Sequence, residues 1–146
     1  MPQFSRTTTT DWSGTLMEGG GQLKAGTGAF SLPVSFPRRI GDAAGSTSPE
    51  ELIAAAHSVC FAMVVAGAIA KNGGTAKSHH VTCTVTADKS DAGIKIITSK
   101  LTLVVEGLEG IDKDKFAAIA KEAEKGCPVS NALRNPVGVE VEVSVK

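Results

Sequence analysis

The sequence predicts an α+β fold, a largely antiparallel sheet packed on one long buried central helix. Three observations carry that expectation: an apolar run over residues 52–70 that opens with helix-start residues, and strict alternation over residues 81–86 and 137–146. From the N-terminus, residues 1–11 are polar and Thr-rich and lack the short apolar stretch of a secretory signal. Between Trp12 and Phe36 short β-like pieces alternate with glycines, which predicts two or three strands. Residues 37–46 read as an exposed loop, because Pro and Gly interrupt both periodicities.

Ser48-Pro49-Glu50-Glu51 supplies an N-cap serine, a proline in the first turn and the glutamate of a capping box. The helix it opens runs to about Lys71 and stops at Asn72-Gly73-Gly74. Only His57 and Ser58 are clearly polar between Leu52 and Ala70, so the helix is either a buried core element or a membrane span. Its Ala-rich content, a histidine near its start and the lack of a positive flank favour the buried helix. Val81, Cys83 and Val85 alternate with threonines as a half-buried strand, and Asp91-Ala92-Gly93 turns it into a partner carrying Ile97, Leu101, Leu103 and Val105 on one side. Residues 112–125 form an amphipathic helix closed by Gly126, and Cys127 caps a short helix over residues 129–133. Five valines from Val137 to Val145, alternating with polar residues and glycine, predict a final strand.

A chain of 146 residues makes one domain, 1–146, large enough for a core without disulfide staples. Fifteen basic and 15 acidic side chains sum to zero, which excludes the basic stripe of a nucleic-acid binder. The charges are interspersed, so electrostatics do not point to a membrane surface either. Three cysteines are too few for a secreted disulfide scaffold and place the chain in a reducing cytoplasm.

Each thiol then needs its own account. Cys60 lies midway along the apolar helix, where a small core side chain is the plain reading. Cys127 stands where free N–H groups and the helix dipole favour a thiolate, although a turn or capping role fits the same position. Cys83 faces the core with Val81 and Val85. Metal sets can be drawn from His57, Cys60 and Cys127, or from His79, His80 and Cys83. The chain has no Cys-x-x-Cys pair, so neither metal nor cofactor is expected.

Residues 48–61 (SPEELIAAAHSVCF) and 126–130 (GCPVS) resemble the paired cysteine motifs of the OsmC/Ohr family of peroxide-reducing proteins. His57, three before the first cysteine, and Val129, after Cys-Pro, resemble the osmotically inducible protein C branch. The resemblance extends over almost the whole chain. It implies an intertwined homodimer with active sites at the subunit interface, reducing organic hydroperoxides, and hydrogen peroxide more weakly, in defence against oxidative stress. Cys60 would be the peroxidatic thiol and Cys127 the resolving one. Arg39, in Phe36-Pro37-Arg38-Arg39, resembles the arginine that stabilises the thiolate, with Arg38 one position away in the same motif, and Glu50 resembles the acid that orients it. A dithiol, of dihydrolipoyl type in the family, would be the reductant. The competing class is a redox-sensing or ligand-binding domain that keeps the fold without turnover.

The chemistry of the residues agrees in part. Burial raises a thiol's pKa, so a reactive Cys60 needs a cation, and arginine stays charged when desolvated. Glu50 precedes Cys60 by ten residues, about 15 Å along a straight helix, so Glu50 and Arg39 would reach Cys60 from the partner subunit. Dipole reasoning alone makes Cys127 the more acidic thiol, whereas the resemblance assigns the attack to Cys60, whose neighbours Phe61, Met63 and Val64 suit an apolar substrate tail.

Overall fold

Two compact units, Met1–Ile53 and Ala54–Lys146, make up the chain in the computed structural model, which describes residues 2–135 and 137–145. In the first, β1 (Thr8–Ser13), β2 (Gly20–Ala25) and β3 (Ser31–Val34) form an antiparallel sheet in that order. These are the strands expected between Trp12 and Phe36, with β1 starting earlier in the threonine run. Gly19 sits where a Cβ would strike the carbonyl oxygens of Ser13 and Thr15, so the β1–β2 connection requires glycine there.

The expected loop over residues 37–46 is partly helical instead, because α1 occupies Phe36–Ile40. Pro37 presets the first turn, and one turn closes locally through Arg39 N–H to the Ser35 carbonyl and Gly41 N–H to that of Pro37. Such a turn needs no apolar periodicity.

Helix α2 (Pro49–Lys71) begins in the first unit and continues into the second. Its start follows the capping logic: the Ser48 hydroxyl accepts from Glu51 N–H at 3.1 Å. The Glu51 carboxylate does not return to Ser48 but accepts from the Thr47 hydroxyl at 2.6 Å. At the other end Gly74 N–H reaches the Ile69 carbonyl and Gly73 N–H that of Ala70, with Gly73 at φ +73°, the Schellman arrangement.

In the second unit β4 (Ser78–Ser90) and β5 (Gly93–Glu106) pair as a long antiparallel hairpin, followed by α3 (Lys113–Glu124) and α4 (Pro128–Arg134). Asp112 caps α3 by accepting from Asp114 and Lys115 N–H, and Cys127 caps α4. One stripe of α2, Phe61, Val65 and Ile69, forms the core with Val81, Leu101, Leu103 and Phe116. Spacing by four keeps these residues on one helix face, over the inward face of the hairpin.

Three further expectations need correction. Ile97 does not share the inward face with Leu101, Leu103 and Val105: the register slips between Thr86 and Ala87, and Ile97 is 46% exposed. Although α2 is long and apolar enough to cross a membrane, only its stripe is covered, and Val59 and Met63 are 54% and 70% exposed. Within one chain it is a core helix on one face only. Finally, residues 137–145 form no strand, and their valines are 66–93% exposed. A strand needs a neighbour to satisfy its backbone groups, and among the described residues none pairs with this segment. Lys146, the end of that expected strand, lies outside the described residues.

Candidate active site

Helix α2 carries Cys60 at mid-length, and the turn between α3 and α4 delivers Cys127 at an N-cap, so two sulfurs 67 residues apart lie 2.9 Å from each other. Both are free thiols; Cys127 is fully buried and Cys60 half-buried. A disulfide bond measures about 2.05 Å. The pair therefore needs little movement to close.

Their environments differ. Burial pushes the Cys60 thiol up, the hydrogen bond with Cys127 adds to that, and only the Val129 N–H opposes it. Burial works against ionisation at Cys127 too, but the hydrogen bond shared with Cys60, the Ser130 side chain beside it and the N–H groups at the start of α4 outweigh it, so this thiol is lowered. Within this unit the dipole argument holds, and among the described residues no cation acts on Cys60.

Beside the thiols lies a polar cluster. His57, 4% exposed, bonds Ser99 Oγ through Nδ1 at 2.6 Å and Ser130 Oγ through Nε2 at 2.7 Å. Cys83 Sγ sits 3.3 Å from Ser99 Oγ, so this thiol belongs to a polar cluster as well as to the core face. Glu124 receives Arg134 Nη2 on both oxygens, at 2.6 and 2.7 Å. Ser99, Ser130, Glu124 and Arg134 escaped sequence reasoning. Only Ser130 carried a signal, as the last residue of the second cysteine motif. Both ring nitrogens of His57 are engaged by serines, and His79 Nε2 bonds the Ala62 carbonyl at 2.9 Å. Among the described residues no three His, Cys, Asp or Glu side chains converge for a metal.

Arg39 and Glu50 meet in the first unit. Nε of Arg39 lies 3.2 and 3.1 Å from the two carboxylate oxygens, and Nη2 lies 2.6 Å from Oε1. It is Arg39 that pairs with Glu50, while Arg38 is exposed. The side chains are 27% and 15% exposed, and the Arg39 hydrogen bonds hold the Glu50 carboxyl below its usual range. A carboxylate lowered in the folded state stabilises it above the unfolded pKa of about 4.3, and that contribution fades as pH falls through the folded value. Glu50→Gln should therefore lose stability at neutral pH and flatten the acid limb below about pH 4, read from urea midpoints across pH. An acid limb as steep as in the parent protein would assign it to other carboxylates. An apolar hollow of about 280 Å³ opens beside this pair, bordered by Trp12, Leu16, Leu23, Phe36 and Leu52 with Arg39 at its edge.

Residues 41–142 match the family model described as OsmC-like protein. The chain belongs to the OsmC-like protein family. The match includes Glu50, Cys60 and Cys127 and starts just past Arg39. Among curated relatives, the peroxiredoxin OsmC of Escherichia coli is 35% identical over 134 residues, 90% of this chain and 92% of that protein. An organic hydroperoxide resistance protein-like 2 of Staphylococcus epidermidis is 27% identical over 120 residues, 80% of this chain and 82% of that protein. An organic hydroperoxide resistance protein OsmC from Legionella pneumophila superposes with a TM-score of 0.72 at 24% identity, over 99% of this chain and all of that one, which establishes the OsmC-like fold. OhrB of Bacillus subtilis matches at 0.66 and 26% identity, over 97% of this chain and 98% of that one.

Proposed function

We propose that this OsmC-like protein is a thiol peroxidase that reduces organic hydroperoxides, and hydrogen peroxide more weakly, in a reducing cytoplasm. The observation that carries the reading is the 2.9 Å approach of Cys60 and Cys127. The names of its relatives, a peroxiredoxin and organic hydroperoxide resistance proteins, point the same way.

The Cys60 thiolate attacks the terminal peroxide oxygen, the O–O bond breaks, and the alkoxide takes a proton and leaves as the alcohol. Cys60 is then a sulfenic acid. Attack of the Cys127 thiolate on its sulfur forms the Cys60–Cys127 disulfide and expels hydroxide, which leaves as water after protonation. A dithiol, of dihydrolipoyl type, returns two electrons and two protons. Neither metal nor cofactor enters the cycle.

Cys60 lacks a cation from its own unit, and we assign that role to Arg39 of a second copy, held by Glu50. The protein then works as a homodimer with each site shared between subunits. The exposed faces of α2 and of the terminal valines supply apolar surface for such an interface. The hollow beside Arg39 suits an apolar peroxide tail.

Intact mass and thiol counts, taken before and after one equivalent of tert-butyl hydroperoxide, test the cycle. Two thiols should disappear, Cys60 and Cys127, with one equivalent of alcohol formed, and Cys60→Ser should consume none. Unchanged thiols would exclude the peroxidase. A one-shot redox sensor, whose disulfide the dithiol does not reduce, would stop at one equivalent in the presence of excess dithiol, whereas the enzyme continues over many turnovers.

A further inference from the structure

The two sulfurs of the pair differ in what can reach them. Cys127 has no exposed surface, while Cys60 is half-buried. We propose that Cys60 is the one sulfur of the disulfide that an external thiol attacks, so that the reductant is carried on Cys60 as a mixed disulfide and Cys127 serves only as leaving group. This rests on the thiol-peroxidase reading of the Cys60–Cys127 pair.

Burial of Cys127 is complete within one chain. Its sulfur stands 2.9 Å from Cys60 and accepts from Ser130 N–H at 3.5 Å, and Ser130 is itself 2% exposed. The backbone of Cys127 is pinned on both sides: its N–H donates to the Glu124 carbonyl at 2.9 Å, and its carbonyl accepts from Asn131 N–H at 3.0 Å. The side chain therefore cannot swing out unless the turn between α3 and α4 opens, and a second subunit can only cover it further. Cys60 stands on other ground. Any peroxide that the cycle consumes has to touch its sulfur, so a path to Cys60 is part of the reaction.

Exchange depends on access to the sulfur attacked and on the acidity of the sulfur expelled. Both criteria choose the same direction, since Cys60 is the reachable sulfur and Cys127, the lower of the two thiols, is the better leaving group. A thiolate of the reductant bonds to Cys60 Sγ as the Cys60–Cys127 bond breaks, and the electron pair leaves on Cys127. The second thiol of the same reductant, as thiolate, attacks the reductant sulfur attached to Cys60, closes the reductant's own disulfide and releases the Cys60 thiolate. Two electrons pass to the protein, and the two protons lost by the dithiol supply its two thiols. Peroxide and reductant thus take turns at one sulfur, and Cys127 carries no group from outside.

The same exchange run in reverse tests the preference without peroxide. Cys83→Ser with Cys127→Ser leaves Cys60 as the only thiol, and Cys83→Ser with Cys60→Ser leaves Cys127; each is mixed with dithiodipyridine and followed by absorbance. Acidity alone favours Cys127, by about threefold for each pKa unit once its weaker nucleophilicity is counted. Access reverses that order, because a sulfur that waits for local opening reacts only in the opened fraction of molecules. The Cys60 variant should react at least about tenfold faster in the folded protein, and the two rates should converge in concentrated urea. Should either variant fail to fold, the Cys83→Ser protein alone suffices: its disulfide is formed with diamide, exposed briefly to cysteamine and quenched in acid, and peptide masses should place cysteamine on Cys60. A Cys127 variant that reacts as fast as the Cys60 variant, or cysteamine found mainly on Cys127, overturns the proposal. Neither result bears on whether peroxide is reduced, which the thiol counts decide.

Discussion

Arg39→Met should lose peroxide turnover by about a hundredfold or more, and mixing it with inactive Cys60→Ser should restore about a quarter of wild-type activity. The loss follows from desolvation: burial raises the Cys60 thiol, and removing the one charge proposed to offset it costs about 3–5 kcal/mol. The recovery follows from symmetry. In a mixed dimer the Cys60 of one subunit meets the intact Arg39 of the other, while the second site carries both lesions. Random exchange makes half the dimers mixed, each with one working site of two. Dissociation in mild denaturant, remixing and assay of peroxide consumption reads the result. Were the arginine and the thiol to act within one chain, no mixture would regain activity.

Replacing Val139, Val141 and Val143 together with glutamate should convert the protein to a monomer and abolish turnover with it. These side chains are 79–83% exposed, so the change removes nothing that one chain needs for its own core. Burying a valine against a partner contributes about 1.5 kcal/mol, and a carboxylate in the same place costs more than that. Sedimentation velocity and the peroxide assay, run on the same samples, should fall together. A variant that sediments as a dimer and keeps full activity would remove the terminal segment from the interface.

Legibility in the sequence followed distance along the chain. Ser48 and Pro49 place the start of α2, the Gly73-Gly74 pair its end, and Cys127 the cap of α4, because caps are decided by residues within one turn. The Cys60–Cys127 meeting, 67 residues apart, came from motif resemblance, since no local rule brings two such positions together. His57 was visible as an odd polar residue on an apolar helix. Its partners Ser99 and Ser130 stand 42 and 73 residues away and belong to a residue type too common to carry a signal. Helix α1 was missed because a single turn with proline in it has no period to detect. The terminal alternation has the period of a strand, yet residues 137–145 form none, since alternation reports a face to be buried and not what buries it.

The wide separation of the two thiols also bears on what can regenerate the protein. A disulfide between Cys60 and Cys127 closes a loop of 67 residues, which by chain entropy stabilises the folded state by about 4 kcal/mol. By linkage the same quantity makes the bond harder to reduce in the folded protein than in the open chain, by about 90 mV for a two-electron couple. In the proposed cycle, oxidation would thus leave the chain in a more heat-resistant form than its dithiol state. A monothiol must displace one sulfur and then wait beside the other, which is held close enough to expel it. A dithiol that closes its own ring completes the exchange before that reversal, and this kinetic advantage favours a dithiol as the electron donor of the proposed cycle.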